Sequence, residues 1–148
     1  MIKICCIFFK DMILFHVKCL EVIFIKVLVK GYLKNINENV INSFEYKGIK
    51  NKNKITYIDD DNVKFTIKFT SCEVIIVRDG KDFVNTFVFD VNKNKSISNY
   101  FIKDNNCDVD IDIKTIDLEI FDNIIYVKYL IVDTECIYEY KLEMSDVL

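Results

Sequence analysis

Proline and tryptophan are absent from the sequence, and its 148 residues include only three glycines and one histidine. Because the glycines stand alone, there is no glycine-rich loop of the kind that binds phosphate groups. The one arginine, Arg78, weighs against recognition of nucleic acid, where guanidinium groups bind phosphates and base edges. The formal net charge of −3 is also too small to indicate a nucleic acid or an anionic membrane as a partner.

Residues 1–21 are strongly apolar but do not have the pattern of a membrane span. Charged side chains interrupt them so often that each uncharged run is far shorter than the ~20 residues that a bilayer requires. No small-residue cleavage site follows, which argues against a secretory signal. We expect residues 1–21 to be an extension outside the fold and residues 22–148 to form one domain with a single core. The alternative is a short helix or strand that packs on this domain.

Six cysteines occur, at Cys5, Cys6, Cys19, Cys72, Cys107 and Cys136. None forms a Cys-x-x-Cys pair and His16 lies far from the C-terminal three, so we expect no structural zinc site. Free thiols are the expected state, and with them a cytoplasmic location, where disulfides are rare. His16 also has no serine or cysteine in a strained elbow to activate. We therefore predict that the protein is not an enzyme and needs no cofactor.

Alternation of apolar and polar residues dominates the chain from about Val22 onward. In the clearest segment, Val63–Thr70, every odd position is apolar and every even position is polar, which predicts a half-buried strand. Roughly nine or ten such segments are joined by short polar turns, which require antiparallel neighbours. Closure removes the exposed edges of such a long meander. The predicted fold is all-β, a closed antiparallel up-and-down barrel of about eight principal strands, with a two-sheet sandwich as the alternative.

Two turns carry specific expectations. Asp59–Asn62 is predicted to form a hairpin turn in which short carboxylates accept hydrogen bonds from their own backbone. Asp79-Gly80 is a dipeptide that supplies the positive φ angles of a tight hairpin, so Asp82–Phe89 is expected to pair back on Glu73–Arg78.

Asp108, Asp110, Asp112 and Glu119 have the spacing of ligands in a calcium-binding loop, but the sequence does not predict such a site. The position that requires glycine is occupied by Ile113. On a strand the three aspartates point the same way at intervals of ~7 Å, too far apart to enclose one ion. We expect a solvated acidic face and no metal.

Arg78, Tyr100 and Tyr129 are the candidate ligand-binding residues. Arg78 ends a predicted strand beside a tight turn, where it can cap the barrel or contact a ligand carboxylate. The alternative is a salt bridge with Asp79, Asp82 or a neighbouring strand. Inward-facing tyrosines line a barrel with hydroxyl groups, which suits either a satisfied core or a small amphipathic ligand.

The stretch VIIVRDGKDFVNTFVFD, followed by Tyr100, DVDIDIKT and IIYVKYLI, resembles the YwiB-like family of bacterial proteins. The resemblance extends from about Val27 to Met144. It implies a lipocalin-like, or calycin, β-barrel and a domain of unknown function, and it transfers no catalytic residue. Family members usually carry a Thr-x-Tyr-Gly-like stretch where this chain reads FIKDNNC, which implies a different geometry for the turn at Asp104–Cys107.

Two functional hypotheses follow. In the first, a non-enzymatic barrel holds a small, partly apolar ligand in its mouth, because an eight-stranded barrel has room for one. In the second, the barrel is filled and acts as a protein-interaction module through its acidic outer face. Large inward residues such as Phe65, Phe69, Phe87 and Tyr129 favour the second hypothesis. Neither nucleic acid nor membrane is expected as a partner.

Overall fold

The computed structural model describes residues 24–92 and 96–147. Their strands are β1 (Ile25–Asn35), β2 (Val40–Asn51), β3 (Lys54–Ile58), β4 (Lys64–Phe69), β5 (Glu73–Asp79), β6 (Phe83–Asp90), β7 (Ser96–Ile102), β8 (Cys107–Phe121), β9 (Ile124–Ile131) and β10 (Cys136–Asp146). The predicted extension at residues 1–21 lies outside the described residues. Within the described ranges, no helix has the length and apolar character needed to cross a membrane.

The strands form a closed antiparallel barrel in which each strand pairs with its neighbours in the chain and β1 pairs with β10. The predicted all-β, up-and-down barrel is therefore confirmed, with ten strands where about eight principal strands were expected. The β1–β10 seam is long, running from the pair Val27 and Asp146 to the pair Asn35 and Tyr138.

The interior of the barrel has an aliphatic half and an aromatic half. In the aliphatic half, Ile55, Ile67 and Ile76 lie directly opposite one another on β3, β4 and β5 and are almost fully buried. Full burial of such a side chain contributes about 1.5–3 kcal/mol relative to exposure. These residues belong to one apolar cluster that also includes Val29 and Leu142. The aliphatic half is therefore a packed core, and it supports the aromatic half above it.

Strand β4 and the turn before it agree with the sequence prediction. Ile67 is completely buried, and Phe65 and Phe69 pack against the same core. In the turn, Asp59 Oδ1 accepts hydrogen bonds from the backbone N–H groups of Asp61 and Val63, each at 2.9 Å. This carboxylate therefore fixes the path of the chain from β3 into β4.

The connection between β5 and β6 differs from the prediction. Asp79 still belongs to β5, and Gly80 N donates to Phe83 O at 2.9 Å, so the loop consists of residues 81–82. Gly80 does not adopt a positive φ. The predicted pairing of β6 back on β5 is confirmed, whereas the positive φ angles predicted at Asp79-Gly80 are wrong. A Cβ atom on Gly80 would lie 2.7 Å from Cε1 of Phe83, so a side chain at this position would require the Phe83 ring to shift.

Strand β8 is longer than the alternation indicates because a bulge changes which positions face inward. The register on β9 shifts between Thr115 and Asp117. Before the bulge Ile113 is the buried residue, whereas after it Leu118 and Ile120 pack on the core. An extra residue in one strand reverses the odd–even pattern from that point onward. The predicted strand that carries Asp108, Asp110 and Asp112 is thus the first part of β8.

Candidate ligand-binding cavity

A cavity of about 310 Å³ lies in the aromatic half of the barrel. Asn42 and Asp59 line it near the β1–β2 and β3–β4 turns, and it reaches inward to Ile76 and Phe89 of the core. Most of its wall is aromatic, from the side chains of Phe44, Tyr46, Tyr57, Phe65, Phe87, Phe89, Tyr129 and Tyr140. The volume falls at the lower end of the range of small-molecule sites.

Strand register places Arg78 in a row of inward-facing residues on five neighbouring strands. In order from β3 to β7, the row consists of Tyr57, Phe65, Arg78, Asn85 and Tyr100. Arg78 lines the cavity, whereas Tyr100 does not. Tyr100 instead stacks on Phe83, with ring centroids 5.5 Å apart and planes within 7°. Of the two predicted residues in the row, Arg78 lines the cavity, whereas Tyr100 packs on the Phe83 ring that lies beside Arg78.

The Arg78 guanidinium lies between two aromatic rings. Its Cζ atom is 5.5 Å from the ring centroid of Phe65 and 5.6 Å from that of Phe83, distances typical of cation–π contacts. The predicted alternative, a salt bridge to Asp79, does not form, because Asp79 pairs with Lys103 at 2.8 Å. Among the residues that the structure describes, none accepts a hydrogen bond from Arg78 or forms a salt bridge with it. The positive charge is therefore held in place by rings and has no anionic partner within the part of the chain that the structure describes.

Tyr140 places a second unpaired polar group at the cavity. The residue is 7% exposed, and its buried hydroxyl has no hydrogen-bond partner among the described residues. Burial raises the pKa of Tyr140 well above its usual value, and the nearby Tyr57 phenol adds to the increase. The geometry between the two hydroxyl groups does not meet the criteria for a hydrogen bond. Burial also raises the pKa of Tyr57 to about 12. Both phenols are therefore neutral hydroxyl donors at physiological pH.

Tyr129, the third predicted residue, also lines the cavity. Its ring is 5.0 Å from that of Phe89 and 5.5 Å from that of Tyr138. Burial raises the pKa of Tyr129, and the positive charge of Arg78 opposes the increase, as it does for Tyr57 and Tyr140. The predicted pair Arg78 and Tyr129 is thus brought together across the barrel interior.

Sequence reasoning did not select Tyr57 and Tyr140 as site residues. Both residues face inward, as alternate residues of a strand do. Alternation shows which residues face inward, but it does not show how far along the barrel axis each of them lies. The strand register supplies that information, because it places Tyr57 directly opposite Phe65. Their ring centroids are 4.8 Å apart and their ring planes are within 7° of each other. Once β3, β4 and β5 are aligned, the row through Arg78 identifies Tyr57.

The acidic face of β8 lies on the outside of the barrel. Asp108 and Asp110 are exposed, and the amide of Asn99 on β7 donates a hydrogen bond to each of them. Among residues 24–92 and 96–147, no three potential metal ligands are grouped closely enough to hold an ion. On this acidic face, the Asn99 amide of the neighbouring strand therefore bridges Asp108 and Asp110.

The chain was compared with known families, with curated proteins and with solved structures. No family model matches it, and no curated protein matches it. The crystal structure of the YwiB protein from Bacillus subtilis is similar, with a TM-score of 0.60 over 85% of this chain and 93% of the other. The sequence identity is 15%, so the similarity supports the same fold and leaves the function open.

Proposed function

We propose that this protein is a non-enzymatic binding protein that holds a small, partly apolar ligand inside the barrel. The cavity of about 310 Å³ is the observation that carries the proposal. Its aromatic wall offers apolar contact area, and Arg78 and Tyr140 offer polar groups that have no partner among the described residues. A mostly apolar pocket with a few convergent polar groups is the usual form of a ligand site.

The titratable groups of the cavity favour binding over catalysis. General acid–base catalysis works best when a side chain has a pKa near the working pH. Here burial moves the pKa values of Tyr57, Tyr129 and Tyr140 upward, away from neutrality. These phenols retain their protons and act as fixed hydrogen-bond donors.

The alternative of a protein-interaction module has less support. It assumed a filled barrel, whereas the aromatic half contains the cavity. Its proposed contact surface was the acidic face, where Asp108 and Asp110 already accept hydrogen bonds from Asn99. A small ligand is therefore the partner that we propose, in place of a protein, a nucleic acid or a membrane.

We also propose that the protein is a cytoplasmic member of the YwiB-like family, with a lipocalin-like barrel. The shared fold with the Bacillus subtilis YwiB protein supports the family assignment, together with the residues around Arg78 and Gly80. Cys72, Cys107 and Cys136 carry free thiols, which agrees with a reducing compartment.

Native mass spectrometry of the protein purified from its own host tests the binding function. We expect a stoichiometric small molecule that is released on unfolding. A ligand-free barrel that copurifies with another protein in defined stoichiometry would overturn the proposal in favour of the interaction module.

A matched pair of tryptophan variants locates the ligand. Leu33 lines the cavity, whereas Leu28 on the same strand faces outward. We expect Leu33→Trp to occupy the cavity and abolish copurification of the ligand, and Leu28→Trp to retain it. Loss of the ligand in both variants, or in neither, would contradict binding inside the barrel. Circular dichroism verifies that both variants fold.

A further inference from the structure

We propose that the ligand is a small aromatic carboxylate whose anionic group binds between the Arg78 guanidinium and the Tyr140 hydroxyl. This inference rests on the proposed binding function and specifies the chemistry of the occupant.

The inner part of the cavity supplies donors in excess of acceptors. A guanidinium has five N–H donors and no acceptor, and those of Arg78 have no acceptor among the described residues. Tyr140 adds a buried hydroxyl without a partner. An unpaired buried donor is costly, and a ligand that accepts hydrogen bonds removes the cost. A carboxylate matches this set, because it is an acceptor-only group that binds guanidinium bidentately.

Aromatic rings hold the guanidinium in a fixed orientation. Phe65 and Phe83 each lie within 5.6 Å of Arg78 Cζ, on strands adjacent to β5. No carboxylate of residues 24–92 and 96–147 forms a salt bridge with the N–H groups of Arg78. Preorganisation of this kind lowers the entropic cost of binding the anion.

The walls and the volume indicate a small planar ring for the rest of the ligand. The rings of Tyr46, Tyr57 and Phe65 stack in sequence, with centroids 5.5 and 4.8 Å apart and planes within 11° and 7°. Aromatic faces pack well against another flat ring. The volume of about 310 Å³ equals the liquid share of about ten water molecules. It therefore suits a ligand of about ten non-hydrogen atoms.

Among the described residues, Asp59 is the carboxylate that lines the cavity, and it lies beside the β3–β4 turn. Asp59 follows Tyr57 by two residues toward the β3–β4 turn, which corresponds to ~7 Å along the chain. Its Oδ1 atom already accepts hydrogen bonds from two backbone N–H groups. Asp59 is thus engaged in the turn and forms no salt bridge with Arg78, although, after burial, its charge contributes to the raised pKa of Tyr57.

Three probes of nearly equal size test the charge of the ligand on the full-length protein: phenylacetate, the neutral phenylacetamide and the cationic 2-phenylethylamine. Isothermal titration calorimetry at pH 7 measures the Kd of each. We expect phenylacetate to bind at least about tenfold more tightly than phenylacetamide, because a charge-assisted pair contributes about 1.4 kcal/mol or more. The amine is expected to bind most weakly.

Two variants and a control assign the preference to named groups. Arg78→Gln is expected to weaken phenylacetate binding by about tenfold or more and to leave phenylacetamide binding within about twofold. Tyr140→Phe, which removes the unpaired hydroxyl, is expected to weaken phenylacetate binding about threefold or more. Lys30→Gln removes the same charge from an exposed pair with Glu45 outside the cavity, and no change is expected.

The outcomes separate this inference from the proposed function. If phenylacetamide or the amine binds as well as phenylacetate, the barrel is a ligand carrier and the carboxylate assignment is wrong. If none of the probes binds while the native protein carries a different small molecule, the assignment is again wrong and the binding function stands. Because the comparison of probes uses the unmodified chain, the test remains decisive even if Arg78→Gln fails to fold.

Discussion

Gly31 and Phe44 lie directly opposite each other in the β1–β2 pair, and the Phe44 ring fills the space that a side chain at residue 31 would occupy. A Cβ atom on Gly31 would lie 2.6 Å from Cζ of Phe44 and would also clash with the carbonyl oxygen of Lys141 on β10. Movement of the Phe44 ring would not relieve the clash with the Lys141 carbonyl oxygen, so the backbone of β10 at the seam would also have to shift. Gly31 therefore fixes both the seam of the barrel and one wall of the cavity.

Gly31→Ala is expected to destabilise the protein by about 1–3 kcal/mol, the usual cost of overpacking a core. Urea denaturation measures the change in the free energy of unfolding. Ser145→Ala, at an exposed position of β10, is the control and is expected to have little effect. If Gly31→Ala is as stable as the unmodified protein, the steric relationship with Phe44 and Lys141 does not constrain the barrel.

Arg78→Met is expected to leave the free energy of unfolding unchanged or to raise it by up to about 1 kcal/mol. The half-buried guanidinium is without a carboxylate partner among the described residues, so its desolvation offsets the cation–π contacts with Phe65 and Phe83. Methionine fills similar space without a charge. Thermal unfolding measures the effect. A loss of more than about 1 kcal/mol would instead assign Arg78 a structural role.

Alkaline pH is expected to destabilise the barrel through its buried tyrosines. Burial raises the pKa of Tyr57 from 10.0 to about 12, so between these values the folded state retains a proton that the unfolded state has lost. Stability is therefore complete below pH 10 and falls as the pH rises toward 12. Tyr57 alone accounts for a loss of about 2–3 kcal/mol across this range.

Urea denaturation at a series of pH values from 8 to 11 provides the measurement. Tyr57→Phe is expected to show a shallower decline than the unmodified protein. Tyr32→Phe, on the outer face of β1, is the matched control and is expected to follow the unmodified protein. An identical decline in both variants would contradict the assignment to Tyr57.

Deletion of residues 1–21 is expected to change the free energy of unfolding by no more than about 0.5 kcal/mol. The reason is that β1 is already paired on both sides, since Val27 lies opposite both Gly48 on β2 and Asp146 on β10. The described strands therefore close the sheet among themselves. Thermal unfolding of a chain beginning at Val22 tests this. A large decrease in Tm would show that the deleted residues pack on the barrel.

The sequence predicted those parts of the fold in which local pattern and tertiary packing agree. In β4, the alternation around Ile67 matches the buried face, and in the turn before β4 Asp59 makes the local hydrogen bonds that short carboxylates favour. The prediction was wrong about the φ angles at Asp79-Gly80, where a side chain in place of Gly80 would require the Phe83 ring to shift. It also ended β8 too early, because the bulge after Thr115 reverses the alternation.

The candidate site was predictable only in part. Arg78 stood out because it is the one arginine of the chain, and Tyr129 because of its strand pattern. Tyr140 was one of several similar tyrosines, and what distinguishes it is a buried hydroxyl without a partner among the described residues. That property depends on how strands that are distant in the chain are aligned. The alternation within one strand gives no information about this alignment. Tyr100, by contrast, was selected from the sequence and lies in the Arg78 row, but it does not line the cavity.

The seam between β1 and β10 has a consequence for how the chain folds. Asn35 Nδ2 and Tyr138 Oη, which are hydrogen-bonded across it at 3.5 Å, are 103 positions apart in the sequence. Every other strand pair joins chain neighbours and can form early, whereas this pair must close a loop that contains nearly the whole domain. Such non-local pairing slows folding, so we expect barrel closure to be the slow step. During synthesis on the ribosome, the first strand keeps one unpaired edge until the last strand emerges.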